Sequence, residues 1–358
     1  MFLTIISFLF VLAILILVHE FGHFITAKMV GIRVEEFALG FGPKLYSKQK
    51  GETLYSIRAV PLGGFCGMTG EFPPDDDASE EEIKIYEETK KMGRTFDQKK
   101  PWERFAVSIM GPVMNFILAI LVFSLIFFAY GLPVSQSDTT EIGQITPQMP
   151  AAEAGIEAGD EIIEVNGQRT ETWEEMSNIL SNSEGENVSL QVKRGDEIFS
   201  VSLEPEYNEQ LDKAVIGISA KVIREDSGFF KSIYSGVAQT VYTTRMTITG
   251  VIDMIRARSA EGLGGPVMIA SVIGQAARTG FEDLLNWMAL ISINLGIINL
   301  FPFPALDGGR IIFILFEMFT GKSLSAEKEG LVHMIGFALL MILMVFIIYR
   351  DVVNVFFG

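Results

Sequence analysis

The sequence predicts a polytopic α-helical membrane protein of about four transmembrane helices, with an acidic α+β domain inserted between the second and the third. Three observations predict it. The 358 residues are 49% hydrophobic yet carry a formal net charge of -16, so apolar and acidic residues must be segregated along the chain. Four stretches, residues 2–18, 105–130, 284–306 and 331–349, are almost free of charge and approach or exceed the ~20 residues that cross a bilayer as a helix. Between the second and third of them the pattern changes to short alternating segments punctuated by turn residues, as in a soluble β-rich unit. The length has room for two domains.

Taken in order, the first stretch lacks a basic leader and a small-residue cleavage site, so it reads as a retained span rather than a signal peptide. It carries no Lys or Arg before residue 19, whereas the following loop is basic through Lys90, Lys91, Lys99, Lys100 and Arg104. Arg310, Lys322 and Lys328 lie between the last two spans. The positive-inside rule therefore puts both loops in the cytoplasm, both chain ends outside and the insert on the extracytoplasmic side. Within the first loop, Glu71 to Glu88, with Pro73-Pro74 and Asp75-Asp76-Asp77, reads as a solvated loop and short helix rather than a metal site. Residues 229–255 mix aromatic and apolar side chains with Lys231 and Arg245, the pattern of an amphipathic anchor at the outer surface. The glycine-rich stretch 262–277 is short for a span and fits a re-entrant or surface segment. The predicted division is 1–131 (first half of the membrane core), 132–228 (inserted domain), 229–280 (linker) and 281–358 (second half).

The insert has a finer pattern. Ile142-Gly143-Gln144-Ile145 reads as a strand, residues 149–160 as a turn and short helix, and residues 161–165 as a strand closed by Asn166-Gly167, a strong tight-turn pair. Helical spacing follows over 173–180, then alternation over 188–192 and 198–203. The run from Pro150-Ala151 through Ala154-Gly155, Gly159-Asp160 and Asn166-Gly167 resembles the bacterial PDZ domain over roughly residues 141–220. That resemblance implies an extended peptide added at a sheet edge, in some cases held by its C terminus. Val215-Ile216-Gly217-Ile218 reads equally as a carboxylate-binding loop or as a core strand containing a glycine.

Chemistry concentrates in His19-Glu20-Phe21-Gly22-His23, which uses two of the three histidines in the chain. On a helix, residues i and i+4 share a face, so both imidazoles can bind one zinc ion, and Glu20 is placed to take a proton from water activated there. Ionisable groups in an apolar span are costly and therefore functional by default. A catalytic zinc needs a third protein ligand and an open position. His333 stands alone on an apolar helix; Asp307, after Pro302 and Pro304 at the end of the third span, is the better candidate. The two prolines break that span and Gly308-Gly309 let the chain turn after the carboxylate. The single Cys66 excludes a disulfide framework and a cysteine-rich zinc site, and the acidic balance excludes nucleic acid as a partner.

Combined with residues 299–309, Asn299-Leu300-Phe301-Pro302-Phe303-Pro304-Ala305-Leu306-Asp307-Gly308-Gly309, the histidine motif resembles the site-2 protease family of intramembrane metalloproteases. Gly111-Pro112-Val113-Met114-Asn115 is similar to a further family element, residues 60–68 (with Gly63-Gly64) to the family's membrane-associated β-hairpin, and Gly265-Pro266-Val267 to another recurring segment. With the PDZ-like insert, the arrangement resembles the bacterial regulator-of-sigma-E protease type, with one such domain where Gram-negative enzymes carry two. The resemblance implies one Zn2+ per chain on His19, His23 and Asp307, Glu20 as base, and substrate backbone bound by Asn299 and by the Gly63-Gly64 strand edge. Asn115 reads either as a substrate contact or as a helix–helix hydrogen bond. It also implies a bacterial cell membrane, single-pass transmembrane proteins as substrates (anti-sigma factors or remnant signal peptides, after a first outer cut), and the insert as size filter or reader of peptide C termini. The competing readings are a PDZ membrane scaffold with a structural metal, which requires a fourth ligand, and a metal transporter, which requires ionisable residues along several spans.

Overall fold

The structure, a computed structural model, describes residues 2–72, 74, 78–136, 138–147, 149–208, 213–257, 265–323 and 326–357. Two compact units are present: Met1–Phe127 with Phe229–Gly358, and Phe128–Gly228.

The first unit begins with α1 (Phe2–Met29). It runs well past the apolar stretch, because no proline interrupts it and the chain turns only at Gly31, with φ 76°. Two long strands follow, β1 (Val34–Lys50) and β2 (Thr53–Met68). The expected hairpin over 60–68 is only the last part of this element. Residues 34–39 of β1 pair on one side with 64–68 and on the other with 54–57, while 44–50 pair back onto 53–58. The alternation that would reveal such strands is broken at Gly40 and Gly42, whose φ values of 92° and 81° fold β1 over. Beneath the sheet, Ala27, Ile32, Val34, Cys66, Met68, Phe96 and Val107 form a small core.

The hairpin turn is clamped to its surroundings. Glu52 accepts two hydrogen bonds from the Arg94 guanidinium, at 2.8 and 2.7 Å, and one from Lys28 at 2.6 Å. The Arg94 hydrogen bonds, with Lys28 behind them, hold the Glu52 carboxyl down at about 2 against partial burial. A depressed carboxyl contributes stability that is complete above its ordinary value near 4.5 and is lost as the pH falls from there through about 2. Glu52→Gln is expected to cost about 1–2 kcal/mol at pH 7 once solvent screening is allowed for. The melting-temperature gap between wild type and variant in detergent should narrow steadily below pH 4.5.

Next come α2 (Glu80–Lys91), opened by a Ser79/Glu82 capping box, and α3 (Pro101–Tyr130). Residues Pro73 and Asp75–Asp77, read as solvated, lie outside the described residues. After the insert, the unit resumes with the elements here numbered last, α6 to α10. α6 (Phe229–Ala257) buries only the stripe Ser232, Gly236 and Thr240, and Gly236 lies where a side chain would strike Ser124 and the Ile120 carbonyl of α3. α7 (Pro266–Thr279) packs on α1 through Gly274 against Thr4; the start of the 262–277 stretch is outside the described residues. α8 (Phe281–Asn299), α9 (Asp307–Thr320) and α10 (Ala326–Phe357) complete it.

Among the described residues four helices are long and apolar enough to cross a membrane: α1, α3, α8 and residues 328–351 of α10. The third is shorter than expected, ending at Asn299 rather than 306, because Pro302 and Pro304 cannot continue it. The expected turn at Gly308-Gly309 is also corrected. Both glycines are buried in the first turn of α9, where Cβ atoms would collide with the carbonyls of Leu300, Phe301 and Phe303.

The second unit contains β3 (Leu132–Gln136), β4 (Ile142–Ile145), α4 (Pro150–Glu153), β5 (Glu161–Val165), β6 (Gln168–Arg169), α5 (Trp173–Ser181), β7 (Val188–Arg194), β8 (Glu197–Leu203) and β9 to β12 (Glu206–Asn208, Lys213–Val215, Ile218–Ala220, Val222–Glu225). The main sheet has the order β6-β5-β7-β8, and β4 pairs with β11. Its core gathers Ile142, Ile162 and Leu190 from the strands with Met176 of α5 and Ile216, among others. Asn166 (φ 52°) and Gly167 (φ 76°) make the tight turn. Ile216 is buried, and the Ile216 and Gly217 carbonyls accept from Ala151 and Thr146 at 2.9 and 2.8 Å. The segment is thus a bend between β10 and β11, with Gly217 at φ 82° and a buried Ile216, and not one continuous core strand.

Candidate metal centre

α1 carries His19 and His23 one turn apart on a buried face. The two Nε2 atoms lie 3.3 Å from each other. Opposite them Asp307, the first residue of α9, places Oδ2 3.2 Å from His19 Nε2 and Oδ1 3.5 Å from His23 Nε2. One ligand atom from each residue falls within 4.8 Å of the other two. Ligands at about 2.0–2.2 Å around a tetrahedral ion stand roughly 3.3–3.5 Å apart, so the two imidazole nitrogens are spaced as neighbouring ligands of one ion, and each has one of the two Asp307 carboxylate oxygens at a similar distance.

The surroundings fit a metal in a second way. His23 Nδ1 lies 2.8 Å from the Val107 carbonyl, an acceptor only, so Nδ1 carries the proton and Nε2 presents its lone pair. His19 Nδ1 lies 3.1 Å from the Asn115 carboxamide nitrogen, while Asn115 Oδ1 is buried with no hydrogen-bond partner among the described residues. A half-turn of that amide satisfies the orphaned oxygen with His19 Nδ1–H and frees Nε2 of His19 as well. Asn115 is 0% exposed, and its carbonyl accepts from Ser292 of α8 at 2.8 Å. Of its two expected readings, substrate contact or helix–helix hydrogen bond, the second matches these contacts to α1 and α8; Asn115 is not among the residues that line the cavity described next.

A cavity of about 510 Å³ opens over the cluster. Its walls come from α1 (His19, Glu20, His23), the 63–68 edge of the hairpin including Gly63 and Gly64, Asn299 at the end of α8, and Ala305 to Asp307 with Arg310. Glu20, Asn299, Gly63 and Gly64 therefore share one space with the three metal-type ligands. Gly64 makes this possible: a Cβ there would lie 2.8 Å from Ile16 of α1 and 3.3 Å from the Glu20 side chain.

Further residues shape the site without being ligands. Gly111 of α3 faces the imidazoles so closely that a Cβ would fall on His23 Nε2. Glu71, expected in a solvated loop, is instead paired with Arg310 of α9, both under one-fifth exposed. Its departure from expectation has a physical reason, since the Arg310 guanidinium is buried against the rings of Phe72 and Phe96, 5.4 and 5.5 Å away, and needs a carboxylate partner. His333 is no ligand here; its Nδ1 accepts the Ala305 N–H at 3.0 Å.

Comparison with known proteins adds the following. The sequence profile of peptidase family M50 matches residues 7–343. A Clostridium acetobutylicum protein is 38% identical over 98% of both chains. The zinc metalloprotease RasP of Geobacillus kaustophilus is 34% identical, covering 99% of this chain and 98% of its own. The regulator of sigma-W protease RasP of Bacillus subtilis is 31% identical over 99% of each. Among solved structures, the PDZ domain of an SdrC-like protein from Listeria monocytogenes aligns with 24% of this chain and 92% of its own, at 22% identity and a TM-score of 0.22.

Proposed function

The chain belongs to peptidase family M50, the site-2 proteases, and from that premise we propose that it is an intramembrane zinc endopeptidase whose single Zn2+ is held by His19, His23 and Asp307. The observation that carries the reading is the convergence of the two imidazole nitrogens and the Asp307 carboxylate, one ligand atom from each within 4.8 Å of the other two, beside Glu20 in one cavity. A zinc ion there supplies Lewis acidity that polarises a peptide carbonyl and makes water a competent nucleophile near neutral pH. Glu20 accepts the proton of the attacking water and delivers it to the leaving amide nitrogen. Asn299 offers both a donor and an acceptor to substrate backbone freed from its helix, and the 63–68 edge offers strand pairing. Substrates in this reading are the transmembrane segments of single-pass proteins, anti-sigma-factor-like or remnant signal peptides, already shortened outside the cell membrane. The inserted PDZ domain lies on the extracytoplasmic side as a size filter, and the site lies toward the cytoplasm, following the basic loops.

The scaffold alternative requires a fourth protein ligand. Among the described residues the metal-type cluster has three members, and His333 is committed to Ala305, which favours an open catalytic site. The test uses purified full-length chain in detergent: zinc by elemental analysis, and cleavage of a tagged single-pass membrane protein. About one zinc per chain is expected, with cleavage lost on chelation and restored by zinc. Cleavage that persists in zinc-free protein would sink the reading.

A further inference from the structure

The segment from Leu300 to Leu306 must deliver Asp307 to two histidines on another helix, and its geometry is unusual at one residue. Ala305 adopts φ 79°, the left-handed region that costs an L-residue with a Cβ and is ordinarily left to glycine or asparagine. Among the described residues only Asn166, in its tight turn, shares this with it outside glycine. A strained conformation persists only where the surroundings over-determine it. Here the surroundings are two positions on one face of α10. His333 Nδ1 accepts the Ala305 N–H at 3.0 Å. One turn further, Gly336 lies so close to Pro304 that a Cβ would stand on its ring and 2.7 Å from its carbonyl carbon. The His333 ring is itself set edge-on to Phe313 of α9, at 5.8 Å between centroids.

We propose that His333 and Gly336 of the last membrane helix form a bracket that holds Ala305 in its left-handed conformation and thereby sets Asp307 against His19 and His23, making His333 a positioning residue for the metal site. This rests on the ligand set proposed above. Because Nδ1 must accept, the proton of neutral His333 sits on Nε2, which is buried with no partner among the described residues. A buried polar atom left without a partner is costly, which fits a histidine placed for its acceptor and not for packing. It also explains why the third histidine is buried near the site without being a ligand.

The test uses full-length chain in detergent and three changes. His333→Leu removes the acceptor, His333→Asn keeps an oxygen near the Nδ1 position, and Ala305→Gly removes the conformational strain. Zinc affinity is measured by chelator competition, kcat and KM on a tagged transmembrane substrate, and the Ala305 amide by hydrogen exchange. Expected are a 10–100-fold loss of zinc affinity in His333→Leu, the range for residues that orient ligands, and a fall in kcat exceeding any rise in KM. His333→Asn should stay near wild type, and Ala305→Gly added to His333→Leu should recover roughly tenfold, since glycine takes φ 79° freely. Unchanged zinc affinity in a well-folded His333→Leu, or equal losses in Leu and Asn with no rescue by glycine, overturns the bracket. A wild type that takes no zinc yet protects the Ala305 amide, with protection lost only in His333→Leu, overturns the ligand set and leaves the bracket standing.

Discussion

Glu20→Gln is expected to reduce cleavage of a transmembrane substrate by about 10²–10⁴-fold, the contribution of a general base, while zinc content stays at the wild-type level. The substitution keeps the side chain's size and its place beside Gly64, where a Cβ would stand 3.3 Å from Glu20 Cγ, so the cavity wall is preserved. What it removes is the carboxylate of the histidine motif, which stands outside the ligand cluster His19, His23 and Asp307. Zinc content and cleavage measured on the same preparation separate the two roles a glutamate can have. Zinc lost together with activity would make Glu20 a ligand; more than about a tenth of activity retained with zinc bound would remove it as the base.

The membrane architecture is legible in the sequence because each span is decided by local composition. A run of apolar residues satisfies its own backbone as a helix, whatever surrounds it. The inserted α+β unit is legible for a similar reason, since alternation and the Asn166-Gly167 pair are short-range signals. The hairpin is not. Residues 34–39 are flanked by two different parts of the same partner strand, and Gly40 and Gly42 interrupt the period that would announce it.

At the site, the two histidines are readable from an i, i+4 spacing, and Asp307 from the prolines that end the helix before it. Residues whose part depends on three elements meeting are readable only as candidates, as Asn115 is from its motif, or not at all. Asn115 acts from α3 on a ring of α1 while its carbonyl is tied to α8. Arg310 is placed by α9 but needs Glu71, 239 positions away in sequence, and nothing in either neighbourhood names the other. Gly336 reads as an ordinary glycine in an apolar helix until Pro304 is packed against it.

Gly111→Ala should abolish stoichiometric zinc binding, with affinity lower by at least ~100-fold, about 2.7 kcal/mol, in a protein that still folds. The added methyl group would lie 2.2 Å from His23 Nε2 and 2.9 Å from His19 Cε1. Relief by moving α3 away is blocked on both sides of the residue. Gly22 of α1 already seats against Met110, with a Cβ there falling 2.7 Å from the Met110 carbonyl carbon, and Gly296 of α8 seats against Pro112 and Phe116. Interiors packed this closely transmit strain instead of absorbing it, so the imidazoles are what must move. His23 then loses the 2.8 Å contact to the Val107 carbonyl that sets its tautomer, and the three ligand groups no longer converge. Gly250→Ala in α6 is the control, because a Cβ there meets nothing within 4 Å and a helical glycine replaced by alanine gains about 0.5–1 kcal/mol. Chelator competition and thermal melting on both variants check the contrast: zinc lost with the fold kept for Gly111→Ala, zinc kept with equal or higher stability for Gly250→Ala. Wild-type zinc affinity in Gly111→Ala would show that α3 yields after all, and that the close approach of Gly111 is a packing convenience and not a condition of the metal site.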